Sequence, residues 1–160
     1  MKGLFSLLDR TGKVLNYISA ATLTAIMLLT VADVLLRAWG RPILGTYEVV
    51  SILLAVVIGF SLPKVSLDHG HVFMEFLLDR LSDKGRAIML TFTRALGILL
   101  FLLIGYNLIS VANEFRIAGE VTPTIRLPFY PVAYGVGVCC FLECLVLVFD
   151  ISKIWKGQYE

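Results

Sequence analysis

The sequence predicts an all-α integral membrane protein. It has four transmembrane helices, an amphipathic interfacial helix between the second and third, and both termini in the cytoplasm. Three observations predict this. Apolar residues make up 58% of the 160 residues and charged residues only 16%, whereas a soluble domain carries about 25% charge. The mean hydropathy is +0.86. The apolar residues gather into four runs, each of about 20 residues or more and so able, at ~1.5 Å per residue, to cross a ~30 Å hydrocarbon core. In lipid every backbone N–H and C=O must be paired within its own segment, so these runs are helices.

The first run, residues 14–36, contains Asp33 as its one charge and predicts a helix over 14–37. Its length exceeds the 7–15 residues of a secretory h-region, so it is expected to stay as a span. The second begins near Ile43, carries Glu48 and closes at Pro63, predicting 43–63. The third, 87–112, carries Arg94 and predicts 86–113; the fourth, 129–151, carries Glu143 and Asp150 and predicts 129–152. With no internal repeat and no hydrophilic segment of domain size, residues 1–160 are expected to form a single membrane domain. All five prolines are expected in loops or first turns, where a missing N–H costs little. Lys2, Arg10, Lys13, Lys64, Arg80, Lys84, Arg86, Lys153 and Lys156 fall on one side, and Arg37, Arg41, Arg116 and Arg126 on the other. The positive-inside bias then puts both termini in the cytoplasm and the loop 113–128 outside.

Both histidines, His69 and His71, lie in the stretch DHGHVFME, between Asp68 and Glu75. Two residues apart, they would point to different sides of a helix, and no further Cys or His completes a tetrahedral metal site. Asp68 suits a helix N-cap, and Gly70 permits a sharp change of direction. Val72, Phe73, Phe76, Leu77 and Leu81 form one face of the segment that follows; Glu75, Asp79 and Ser82 form the other. A helix over 72–82 is too short to cross the bilayer and suits its inner interface, in contact with membrane lipids. The expected role of Asp68, His71 and Glu75 is therefore structural. Cys139, Cys140 and Cys144 have neither CxxC spacing nor a histidine nearby and are expected as small packing residues.

Charges in apolar helices are costly and need partners. Asp33 and Arg37 are spaced i,i+4, and Glu48 is expected to reach Arg37 or Arg41 at the outer level. Arg94 and Glu143 lie at nearly equal distances from the inner ends of their helices, so an Arg94–Glu143 pair is expected to join helices three and four. Ser51, Ala55 and Gly59 form a small-residue ridge that packs within the chain or docks another subunit.

Several function classes are excluded on sequence. No basic stripe with interleaved aromatics points to nucleic acid. Broken helices in repeated halves, a channel filter, a phosphate-binding glycine loop and a nucleophile–base constellation are all absent. The protein is expected to be no enzyme and to bind no cofactor or metal. That profile suits an accessory membrane subunit.

The order of several further features resembles the small, Q-type membrane subunit of tripartite ATP-independent periplasmic (TRAP) transporters. These features are Arg37, Gly40 and Pro42 leaving helix one, Tyr47–Glu48 opening helix two, Gly59, and the segment GHVFMEFLLDRL. The entry Thr122-Pro123, Leu127-Pro128, Tyr130-Pro131 to helix four completes the set. The resemblance spans nearly the whole chain, and the family histidine maps to His71. It implies a bacterial inner-membrane protein with two partners, a large M-type membrane subunit and a periplasmic solute-binding protein. The large subunit would move substrate and sodium in an elevator-like motion, the small one serving as a fixed brace. Uptake of an organic acid such as a C4-dicarboxylate or sialic acid is the implied activity. Arg41, Glu114, Arg116, Glu120 and Arg126 then become candidates for docking the binding protein. The competing expectations are a small homo-oligomeric exporter with Glu48 as its proton-coupled carboxylate, and a membrane anchor of a respiratory enzyme.

Overall fold

The computed structural model describes residues 2–67 and 83–154. The expected interfacial helix over 72–82, with Asp68, His69, His71 and Glu75, lies outside the described residues.

Four long helices account for nearly all of the rest: α1 (Lys2–Ala38), α2 (Thr46–Leu67), α3 (Asp83–Ala118) and α4 (Tyr130–Ile154). Each contains a segment long and apolar enough to cross a membrane. Two helices extend well past the runs that predict them. The polar lead of α1 is helical from Lys2, and α3 continues beyond residue 113 to Ala118. An established helix propagates into polar sequence at little cost because each added residue gains a hydrogen bond.

Pro63 departs from expectation. It lies inside α2, which runs on to Leu67. Its missing N–H removes the bond to the carbonyl of Gly59, the residue four back. Neighbouring helices and local polar groups sustain such prolines in membrane helices. Here Pro63 is buried.

The helices stand in a row rather than a closed bundle. Principal contacts run from α1 to α2, from α2 to α4 and from α4 to α3. α1 and α3 therefore occupy the two ends, and much of the apolar surface of both is exposed, as at Met27, Leu28, Leu96 and Leu103. The tightest packing is on α4. A Cβ placed on Gly59 would stand 2.8 Å from both methyls of Val136, and one on Gly105 would stand 3.3 Å from Cys140 Cβ and the Phe141 ring. Cys139, Cys140 and Cys144 are buried there with free thiols, filling narrow gaps between helices. Small residues allow backbones to approach where lipid supplies no hydrophobic drive for association.

The turns use backbone conformations the sequence supplies. Gly40 (φ 72°) closes α1: its N–H bonds Arg37 O at 3.0 Å, and that of Arg41 bonds Leu36 O at 2.9 Å. This is the left-handed glycine cap of a Schellman motif. Gly119 (φ 67°) ends α3 in the same manner, with Glu120 N–H on Phe115 O at 3.0 Å.

Candidate functional site

Two groups of polar side chains link the helices, one toward each end of the helix axes. At the end that carries the α1–α2 and α3–α4 connections, Asp33 is 5% exposed and holds two groups. Its Oδ2 lies 2.6 Å from Arg37 Nη2, and its Oδ1 accepts the Ile43 N–H at 3.0 Å. One carboxylate thus secures the last turns of α1 and the start of the connection to α2. Arg37 itself remains mostly exposed.

Glu48 has a different partner from the expected arginines. Its carboxylate accepts the N–H of Thr124 at 2.9 and 3.2 Å and that of Ile125 at 3.2 Å. A glutamate in the first turn of α2 therefore fastens the α3–α4 loop, 76 residues away in sequence. The loop is itself ordered by Thr122, which is almost fully buried. Thr122 N–H bonds Leu127 O at 2.9 Å, its Oγ1 accepts Leu127 N–H at 3.0 Å, and its carbonyl accepts Arg126 N–H at 3.1 Å. Val121 and Pro128 form an antiparallel bridge across the base. Arg126 adopts φ 59°, a left-handed conformation unusual outside glycine, which these bonds impose. Gly45 (φ 81°) lies directly under Ile125, leaving no room for a side chain. Arg41, Glu114, Arg116, Glu120 and Arg126 are all exposed around this loop.

The group toward the opposite end joins three helices. Arg94 Nε on α3 lies 2.6 Å from Asp150 Oδ2 on α4, with both side chains about nine-tenths buried. The expected Arg94–Glu143 pair is therefore corrected: the ion pair is Arg94–Asp150. Glu143 is fully buried and instead accepts the hydroxyl of Ser66 on α2. Asp150 lies seven residues beyond Glu143, two turns along the same face. Equal depth measured from helix ends selected the wrong carboxylate because the register of α3 on α4, with Gly97 against Leu147 and Gly105 against Cys140, puts position 94 level with 150. The α1–α2 contact has its own clasp. Asp9 lies 2.7 Å from Lys13 and 3.1 Å from Lys64, while Ser19 donates to Val57 O at 2.8 Å.

Ser66, Asp150, Asp9 and Thr122 were missed from sequence. A usable signal existed for Asp150, a second carboxylate at helical spacing from Glu143. None existed for Ser66, whose partner is 77 residues away, or for Thr122, whose bonds form only once its loop has folded back on itself. The ridge Ser51–Ala55–Gly59 divides. Gly59 packs on Val136 within the chain, while Ser51 and Ala55 help to line an apolar groove of about 250 Å³ with Leu108, Phe115, Phe129 and Val136. Among the described residues no group of three His, Cys, Asp or Glu could hold a metal.

Membrane-crossing helices joined side by side by a buried ion pair and by polar side-chain contacts, with a loop fastened over one end, define a polytopic membrane protein. The comparison with known families makes this specific. Residues 26–157 match the family described as tripartite ATP-independent periplasmic transporters, DctQ component, and the chain belongs to that family. It is a small membrane subunit of a TRAP transporter, located in the inner membrane. No curated protein and no solved structure matches the chain.

Proposed function

We propose that this subunit braces the large membrane subunit and helps to dock the periplasmic solute-binding protein. Its transporter would use sodium to drive uptake of an organic acid such as a C4-dicarboxylate or sialic acid. One observation carries the reading: the charges within the spans are engaged in fastening. Asp33 holds Arg37 and Ile43, Arg94 holds Asp150, Glu143 holds Ser66, and Glu48 holds the α3–α4 loop. A brace needs this stiffness, whereas a carrier needs groups free to exchange partners. The proton-coupled exporter is disfavoured on the same ground, since the carboxylate it requires, Glu48, is occupied by backbone N–H groups.

The excess of Lys and Arg on one side supports cytoplasmic termini. The loop 119–129 then faces the periplasm, with Arg41, Arg116 and Arg126 available to a receptor's acidic surface and Glu114 and Glu120 to basic groups. Reconstitution tests the proposal. Proteoliposomes with the large subunit, the receptor and this chain should accumulate a radiolabelled carboxylate under a sodium gradient, and omission of this chain should abolish uptake. Uptake by this chain alone, or undiminished uptake without it, refutes the bracing role.

A further inference from the structure

The end helix α3 carries a second, unused face. Leu96, Leu100, Leu103, Asn107, Ser110 and Glu114 follow one another at alternating steps of four and three, the spacing of a helix-packing seam. All six are exposed, and at 100° per residue they centre opposite the line through Arg94, Gly105 and Ala112 that meets α4. Asn107 lies five residues inside the apolar run, about 7.5 Å from its outer end.

Several exposed hydroxyls deep within the spans are satisfied locally. Thr22, Thr24, Thr30, Ser51 and Thr93 each donate to the carbonyl four residues back. An amide cannot be satisfied so simply, because it presents two donors and an acceptor. Among the described residues, Asn107 is the one short polar side chain exposed more than a turn inside an apolar run and without a hydrogen-bond partner. Lipid tails offer it nothing, so this face is built for an occupant with hydrogen-bonding groups.

We propose that the Leu96–Ser110 seam of α3 receives a transmembrane helix of the large subunit, with Asn107 hydrogen-bonded to a polar side chain or open carbonyl of that helix. An asparagine at one seam position fixes register, because displacement along the helix would leave the amide unpaired. This inference rests on the bracing role and specifies the face that performs it.

The test uses the full complex in native membranes. A photo-crosslinking amino acid at Leu103 should form an adduct with the large subunit, and one at Leu28 on the exposed face of α1 should not. Asn107→Leu should weaken retention of the large subunit in mild detergent by roughly three- to tenfold, the effect of one interhelical hydrogen bond, while Asn107→Gln retains most of it. If the wild-type chain holds the large subunit but Leu103 labels only lipid or a second copy of this chain, the seam is refuted and the bracing role stands. Retention by Asn107→Leu equal to wild type also refutes it. If the wild-type chain holds no large subunit, the bracing role and the seam fall together.

Discussion

Replacing Arg94 with leucine removes the guanidinium that lies 2.6 Å from Asp150, a carboxylate about nine-tenths buried, and with it this ion pair. At an effective dielectric of about 20, unit charges about 4 Å apart attract by about 4 kcal/mol. Breaking a buried pair from one side costs about 3–5 kcal/mol, because the remaining charge stays in a poor solvent for it. Replacing both partners by apolar residues is often neutral. Arg94→Leu and Asp150→Leu should therefore each destabilise α3–α4 packing by about 3 kcal/mol or more, and the double variant should recover most of that loss. Reversible unfolding in mixed detergent micelles, followed by helical circular dichroism, gives the cycle. The parallel cycle of Arg94→Leu with Glu143→Leu should show much the smaller coupling, since Ser66 and not Arg94 donates to Glu143. A double Arg94/Asp150 variant no more stable than the worse single one would refute the pairing. Equal or larger coupling to Glu143 would refute the assignment of partners.

Two further outcomes follow from the packing and from the α3–α4 loop. Gly59→Ala places a methyl 2.8 Å from both Val136 methyls, well inside the ~3.5–4.0 Å optimum for carbon atoms. Overpacking of about 1–3 kcal/mol should exceed the gain of up to about 1 kcal/mol from alanine's helix propensity, lowering the unfolding temperature until Val136→Ala restores space. Glu48→Ala removes the acceptor of the Thr124 and Ile125 N–H groups, so hydrogen exchange at those two amides should accelerate while Thr122-held Leu127 stays protected. Unchanged exchange at residues 124 and 125 would show that the carboxylate does not hold the loop.

Much of this protein is legible in its sequence because the bilayer restricts what a chain can do. Run length and the absence of charge dictate four spanning helices, since no other structure pairs the backbone of an isolated apolar segment in lipid. Gly40 signals the end of α1 through the conformation only glycine adopts cheaply. Asp33 with Arg37 was legible for the same local reason, a spacing of one helical turn. What lay beyond reach was everything set by the relation of one helix to another. Depth counted from helix ends does not give the register of two helices, and the register of α3 on α4 brings Arg94 to Asp150 rather than to Glu143. Glu48 was expected to choose arginines near it in sequence, but a folded loop brought two backbone N–H groups to it instead.

The sequence by itself determined that lipid is this protein's solvent, where its helices run, and that its charges within the spans need partners. Only the tertiary structure decided which partners those are. It also decided that the helices form the row α1–α2–α4–α3, leaving a face of α3 with an unpaired amide at one edge. The reason is physical. Solvent and backbone hydrogen bonding act on each segment separately and leave a local pattern, whereas side-chain pairing between helices depends on stagger and rotation that no single segment encodes.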